Sequence, residues 1–463
     1  MTCRIGNAAG FLGDNLDAPR LLAEQGRLDY LTLEYLAELT LSILARVREK
    51  DPSAGYAGDF IGVLGTLCPT LVAQPDLKLV TNGGGMNPAS CASAAGAVLV
   101  KAGLADAPIG VVTGDDLAQQ IARLQAAGCR LENMETGEPL DTAKIPIVSA
   151  NAYLGARPIT DALADGARFV ITGRVADASL TLGPAVHEFG WAWNDWQKLA
   201  AASVAGHVIE CGAQATGGLY RHWQSLDLAH VGYPIAELAP DGGVTITKPP
   251  QTGGRVNRDT VIEQLVYEIG DPAHYLTPDV DVDFTTLEVS ETGPDRVTIS
   301  GATGRAAPDH YKVSLAYRAG FTASGQLLVC GRDSVSKAQA CGQMILDRVR
   351  QAGFELDDSL IECLGAGQSA PGFEPRGDVR EVMLRVSVCD RRREAVERFT
   401  KEFAPLITSG PPGLAGYATG RGSVRPVFAY WPTLVPKSLV PAQVEIRTAR
   451  EWADASPKKV AAS

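Results

Sequence analysis

Between Gly206 and Gly218 the chain sets an imidazole, a carboxylate and a thiol within five positions: His207, Glu210 and Cys211, followed by Gln214, Thr216 and a glycine pair. Helical offsets of three and four share a face, so His207 would lie beside both Glu210 and Cys211. A His–Glu pair can move protons, and a thiolate beside a histidine is a competent nucleophile. The contrary reading of Cys211 is a small buried thiol without chemistry. HxxEC matches no established metal spacing, so no metal ligand is assigned.

Three glycine-rich turns add candidates. Gly6–Asn15 follows an apolar run and contains Asp14, which suits a ligand hydroxyl, a metal or a local cap. Thr81–Pro88 contains Asn82, three consecutive glycines (Gly83, Gly84, Gly85) and then Asn87-Pro88, an N-cap and first residue of a helix. Such a loop cradles a carboxylate, phosphate or thioester oxyanion, or else allows close backbone packing. Thr172–Asp177 carries Arg174, whose planar fork suits a carboxylate, and Asp177, which either orients that arginine or acts as a base; a structural ion pair is the rival reading. Asp115-Asp116 is a paired carboxylate able to bind a divalent ion or to cap a helix. Thr252–Gly254 and Ser409–Gly413 read as turns, and His187, His222, His230, His274 and His310 stand alone. No GxGxxG and no Walker-type loop is present, so the cofactor is left unassigned: no nucleotide fingerprint exists, and a divalent metal is allowed by the paired carboxylates without a recognised ligand spacing to support it.

The elements that must position these turns alternate short apolar runs with helical patterns. Strands are expected at Arg4–Ala8, Tyr30–Glu34, Lys78–Thr81, Ile109–Thr113, Ile147–Ser149 and Arg168–Thr172, most of them followed by a polar or glycine cluster and a helix. Ala18–Gln25 and Leu36–Lys50 read as packing helices, the second with Leu36, Leu39, Ile43, Leu44 and Val47 on one stripe. The fold class is α/β, a mostly parallel sheet flanked by helices, doubly wound in preference to a barrel, with a smaller C-terminal α+β part. In such sheets ligands bind at the strands' carboxyl ends, where the clusters should converge on one cavity. The domains read as 1–240 (α/β), 241–310 (strand-rich connection), 311–448 (strand, helix Ser334–Ala352, strand Val382–Val388, helix Arg392–Leu406, strand Val427–Tyr430) and a flexible tail, 449–463.

Composition narrows the partners. The chain has 463 residues, 45% hydrophobic and 21% charged, with a net charge of −11. That sign disfavours nucleic acid and anionic membrane surfaces as partners. No run approaches the roughly eighteen apolar residues of a bilayer span. Nine scattered cysteines without a CxxC pair argue for reduced thiols and a cytoplasmic location. A homo-oligomer is allowed.

Arg4–Asn15, Asp29–Thr40, Thr81–Pro88, Thr172–Asp177, Gly206–Gly218, Lys248–Gly254, Glu263–Pro272, Tyr275–Val280 and Ser409–Gly413 with Arg421 together resemble the acyclic terpene utilisation AtuA family over nearly the whole chain. The resemblance implies a place in the degradation of branched terpenoid alcohols through carboxylated acyl-CoA thioesters. The function expected is therefore small-molecule catabolism on a carboxylate or acyl-CoA thioester, by hydration, dehydration or hydrolysis, which makes the chain a lyase or hydrolase. The Asn82–Asn87 loop and Arg174 would hold the anionic or carbonyl group, His207 and Glu210 would move protons, and Cys211 is the reserve nucleophile. The alternative is a non-catalytic binding or scaffold subunit of a catabolic pathway.

Overall fold

The computed structural model describes residues 2–143, 145–368, 372, 378–416 and 420–455. They fall into two compact units, one drawn from 1–142, 147–315 and 431–463, the other from 143–146 and 316–430. Residues 311–315 and 431–448, which the sequence grouped with the C-terminal part, thus belong to the first unit.

Six early strands follow in chain order: β1 (Cys3–Asn7), β2 (Tyr30–Leu33), β3 (Lys78–Thr81), β4 (Pro108–Thr113), β5 (Ile147–Ala152) and β6 (Phe169–Thr172). All except β5 run parallel, side by side, in the order β1-β2-β3-β6-β4. On the β1 side the sheet continues antiparallel through β7 (Ile235–Leu238), β8 (Val244–Thr247), Arg296–Ser300 and Glu288–Gly293, and on the β4 side through Gln443–Thr448. The result is one open, mixed, ten-stranded sheet, not a barrel. The expectation of a mostly parallel sheet holds for its middle and fails at its flanks. The reason is connection length: a crossover helix returns the chain parallel, whereas the five residues between β7 and β8 only allow a hairpin.

Helices cover both faces. On one lie α1 (Ala18–Gln25), α3 (Gly58–Ala73) and α4 (Pro88–Lys101), whose Leu22, Phe60, Leu64, Cys91 and Leu99 pack with Leu31, Leu79, Ile109 and Phe169 of the strands. On the other lie α6 (Arg157–Ala164), α7 (Ser179–Phe189) and α8 (Trp196–Glu210). Burial on both faces explains why these strands read as continuous apolar runs. The helix α8 is buried all round from Leu199 to Ile209, so its C-terminal residues His207 and Glu210 are delivered to the interior. The remaining helices of this unit include α2 (Glu38–Lys50), α5 (Ile121–Ala126) and α9 (Arg258–Leu265).

Two expectations change here. In α2 the buried face is Leu41, Leu44 and Ala45, packed with Leu36 and Met86, while Leu39, Ile43 and Val47 face outward. A helical stripe read from spacing has two equally apolar candidates in this helix, and tertiary contact with Met86 chooses between them. Ala449–Asp454, expected to begin a flexible tail, is a helix capped by Thr448 and Glu451. Trp452 anchors it, 3% exposed, with its indole N–H donating to the Ile109 carbonyl at 3.1 Å. The rest of the expected tail, 456–463, lies outside the described residues.

The second unit is antiparallel. Asp358–Leu364, Glu381–Asp390, the part of His310–Cys330 beyond Leu315, and Leu414–Ala415 form its sheet, with helices Ser334–Gln351 and Arg393–Phe399 packed around Val329, Ile345, Val386 and Phe399. The strand expected at the start of 311–448 is one long element, His310–Cys330. No helix among the described residues is long and apolar enough to cross a membrane.

Candidate active site

The parallel strands all end at the same edge, and residues at or just beyond those ends gather there: Asn7, the last of β1, Glu34 after β2, Asn82 after β3, Asp115 after β4, and Arg174 and Asp177 in the turn after β6. Arg174 is the hub, 2% exposed. Its Nη1 donates to Asp177 Oδ1 at 2.6 Å and to the Leu36 carbonyl at 2.8 Å, and lies 3.9 Å from Glu34 Oε1. The Tyr153 ring stacks 4.1 Å from the guanidinium, and the Tyr153 hydroxyl donates to Glu38. Below it, Asp115 Oδ2 accepts the Arg174 backbone N–H at 2.8 Å and the Asn151 side-chain amide at 2.9 Å. Asn82 reaches sideways: its Oδ1 accepts from the Tyr35 N–H at 2.8 Å, and its Nδ2 donates to Glu34.

The end of α8 completes the cluster. His207 Nδ1 lies 3.1 Å from Glu210 Oε1, and Nε2 lies 3.1 Å from the Gln264 carbonyl. A carbonyl only accepts, so Nε2 carries a proton; the next proton is shared between Nδ1 and Glu210. Both ring nitrogens are therefore engaged, and Glu210 is the member of the pair with an oxygen, Oε2, that no protein group satisfies. Tyr275 and Phe284 wall the imidazole at ring distances of 5.4 and 5.5 Å. Asn7 fixes the helix end, its side-chain amide donating to the Ile209 and Glu210 carbonyls at 2.8 and 2.9 Å, two of the acceptors a helix C-terminus leaves open.

Burial sets the protonation states. It pushes Glu210 up to about 6 against the opposing pull of His207, with the charges of Asp177 and Glu268 adding to the rise. For His207 burial works downward, but the Glu210 carboxylate outweighs it and the net direction is up. Burial and the charge of Asp177 hold Glu34 well above the usual carboxylate range, and burial raises Asp177 despite Arg174. Asp115 is pushed up to about 6, again by burial. The native state therefore holds the Asp115 proton more tightly than the unfolded chain does. Its contribution to stability falls as pH rises from about 4 to about 6, by on the order of 3 kcal/mol. Asp115→Asn should flatten that slope in urea titrations across the interval; an unchanged slope would count against the assignment.

The other residues singled out in the sequence have more local duties. Asp14 accepts from the Gly10 and Asn15 N–H groups and from the Tyr233 hydroxyl at 2.6–2.8 Å, closing its own turn. In the glycine loop the N–H groups of Gly83, Gly85, Met86 and Asn87 all donate within the protein, to Thr81 Oγ1 and the Asn82, Gly55 and Gly84 carbonyls. A Cβ on Gly84 would sit 2.5 Å from the Thr172 carbonyl, and Gly85 has φ +52°. Close backbone approach, rather than a rim of free amides, is what these glycines provide. Asn87 is the N-cap of α4, accepting from the Ser90 N–H at 3.3 Å while its amide donates to the Pro52 and Ala54 carbonyls. Gln214 and the fully buried Thr216 build the turn Gly212–Thr216, where the Thr216 hydroxyl donates to the Ala213 carbonyl at 3.0 Å. Asp116 pairs with Arg48 at 2.9 Å, apart from Asp115's partners. Burial pushes the Cys211 thiol up to about 12, away from the thiolate a nucleophile needs. Cys211→Ala should leave turnover essentially unchanged; a collapse of turnover in that variant would reinstate the thiol. Among the described residues no group of three or more His, Cys, Asp or Glu side chains is disposed to hold a metal ion.

Glu34, Asn7, Tyr153 and Gln264 escaped the sequence reading. Glu34 had one usable signal: a carboxylate at a strand's carboxyl end. A cleft of about 290 Å³ between α8 and the strands β8 and Arg296–Ser300, lined by Ala201, Val204, Val244 and Ile299 among others, holds none of the site's residues.

Comparison with known proteins adds one match, to the model of the acyclic terpene utilisation family protein AtuA, over residues 3–446. The chain belongs to the AtuA family. Membership implies involvement in acyclic terpene utilisation, and the matched span contains every residue of the cluster described above. Neither a curated protein nor a solved structure matches this AtuA-family chain.

Proposed function

We propose that this AtuA-family protein is an enzyme that moves protons on a small carboxylate or an acyl-CoA thioester, by hydration, dehydration or hydrolysis. The observation that carries the reading is Glu210: a buried carboxyl with one oxygen fixed by His207, the other unsatisfied, and an affinity for protons brought close to neutrality. Proton transfer is most efficient from groups titrating near the working pH. Glu210 acts as the base, His207 orients it and balances its charge, and Arg174 with Asp177 provides a fixed dipole beside the reacting group. Because Arg174 already faces Asp177 and lies near Glu34, the thioester carbonyl suits this site better than a second full anion.

The test is turnover of a panel of acyl-CoA esters and free carboxylates by the purified protein. Conversion of a member of the panel supports the reading. A panel without conversion but with binding that tolerates Glu210→Gln would favour the scaffold alternative.

A further inference from the structure

We propose that Glu34, at the carboxyl end of β2, is held as the neutral acid with its proton on Oε2, and that it donates this proton in a hydrogen bond to an uncharged carbonyl or hydroxyl oxygen of the ligand. The inference deepens, and rests on, the proton-transfer reading of the same site.

Glu34 Oε1 accepts from the Leu36 N–H at 2.9 Å and from the Asn82 side-chain amide. Both partners can only donate, so Oε1 carries no proton. The proton of a neutral Glu34 must therefore be on Oε2, the oxygen that no protein group satisfies. The charged groups facing this carboxyl decide whether it is neutral. Arg174 stands 3.9 Å away on the Oε1 side, and its Nη1 already donates to Asp177 at 2.6 Å. Asp177 repels a second anion. An ionised Glu34, 4% exposed, would leave Oε2 a buried negative oxygen without a donor. The neutral acid has only an O–H to place, and a lone pair on a ligand oxygen satisfies it. The upward push from burial acts in the same direction.

Asn82 is then a positioning residue. By occupying Oε1 it determines which oxygen bears the proton. Glu34 and Glu210 together form a division of labour, one carboxyl neutral and donating, the other paired with an imidazole and accepting, a pattern by which environments separate acid from base.

Infrared spectra of the full-length protein at pH 8, with and without carbon-13 in the glutamate carboxyls, test the assignment. The expected result is a label-sensitive carboxylic acid band in the wild type that persists in Glu210→Gln and disappears in Glu34→Gln. Saturating crotonyl-CoA should move that band to lower frequency. Absence of the band in the wild type overturns the neutral acid without recourse to any variant, and an unmoved band overturns the donation to a ligand oxygen. The spectrum is read without turnover, so a present band with an unreactive acyl panel would instead sink the enzymatic reading.

Discussion

Glu210→Gln is expected to lower turnover roughly 100- to 10,000-fold, the usual contribution of a positioned acid–base group, with little change in KM. Glutamine keeps the shape and an acceptor for His207 Nδ1, so the fold and the binding surface should survive; what is lost is the capacity to take a proton. The pH profile makes the prediction specific. A base must be ionised, so wild-type turnover should rise with pH through about 6, where Glu210 titrates. In the variant this rise should vanish along with most of the rate. Stability responds in the opposite sense. Burial raises Glu210 from 4.5, so the native state binds its proton more tightly than the unfolded chain, and the associated stabilisation fades between pH 4.5 and about 6. Equal turnover in wild type and variant would remove Glu210 from the mechanism.

Arg174→Leu is expected to cost the fold about 3–5 kcal/mol, the penalty for removing one partner of a buried ion pair. Arg174 is 2% exposed, and its guanidinium pairs with Asp177, lies near Glu34 and stacks on Tyr153. Without it Asp177, its direct partner, must become neutral to stay inside. The loss should therefore be larger at pH 8 than at pH 5, because at the lower pH protonation replaces the missing charge. Adding Asp177→Asn should recover part of the loss at pH 8 by removing the stranded anion. Urea midpoints at the two pH values check all three statements, and a cost below 1 kcal/mol at both would show that Arg174 is dispensable.

Much of the parallel middle was legible because each strand there is an apolar run closed by a breaker. Lys78–Thr81 matches residue for residue, and Pro88 opens α4 as its ring and the Asn87 cap dictate. The antiparallel flanks were legible only in part, as a strand-rich stretch at 241–310 that contains Arg296–Ser300. Ile235–Leu238 and Gln443–Thr448 are short, and their partners among the parallel strands lie more than 200 and 300 residues away, a pairing that no local period records. The site divides along the same line. Thr172–Asp177 and His207–Glu210 drew notice through their own composition, and the structure places both at the strand edge. Glu34 drew none, since its character comes from Asn82, which lies far along the chain, and from Arg174, farther still. The triple glycine was conspicuous for its entropic cost, and only the Thr172 carbonyl pressed against Gly84 explains that cost.

The central claim is that the carboxyl-edge cluster transfers protons to or from an acyl compound. Mass spectrometry of acyl-CoA esters and free carboxylates incubated with the protein in heavy water reads hydration, dehydration, hydrolysis and deuterium exchange at once. The account predicts a mass change in at least one acyl-CoA thioester with the wild-type protein, abolished in Glu210→Gln. No change in any compound, or a change that the variant reproduces in full, would contradict it.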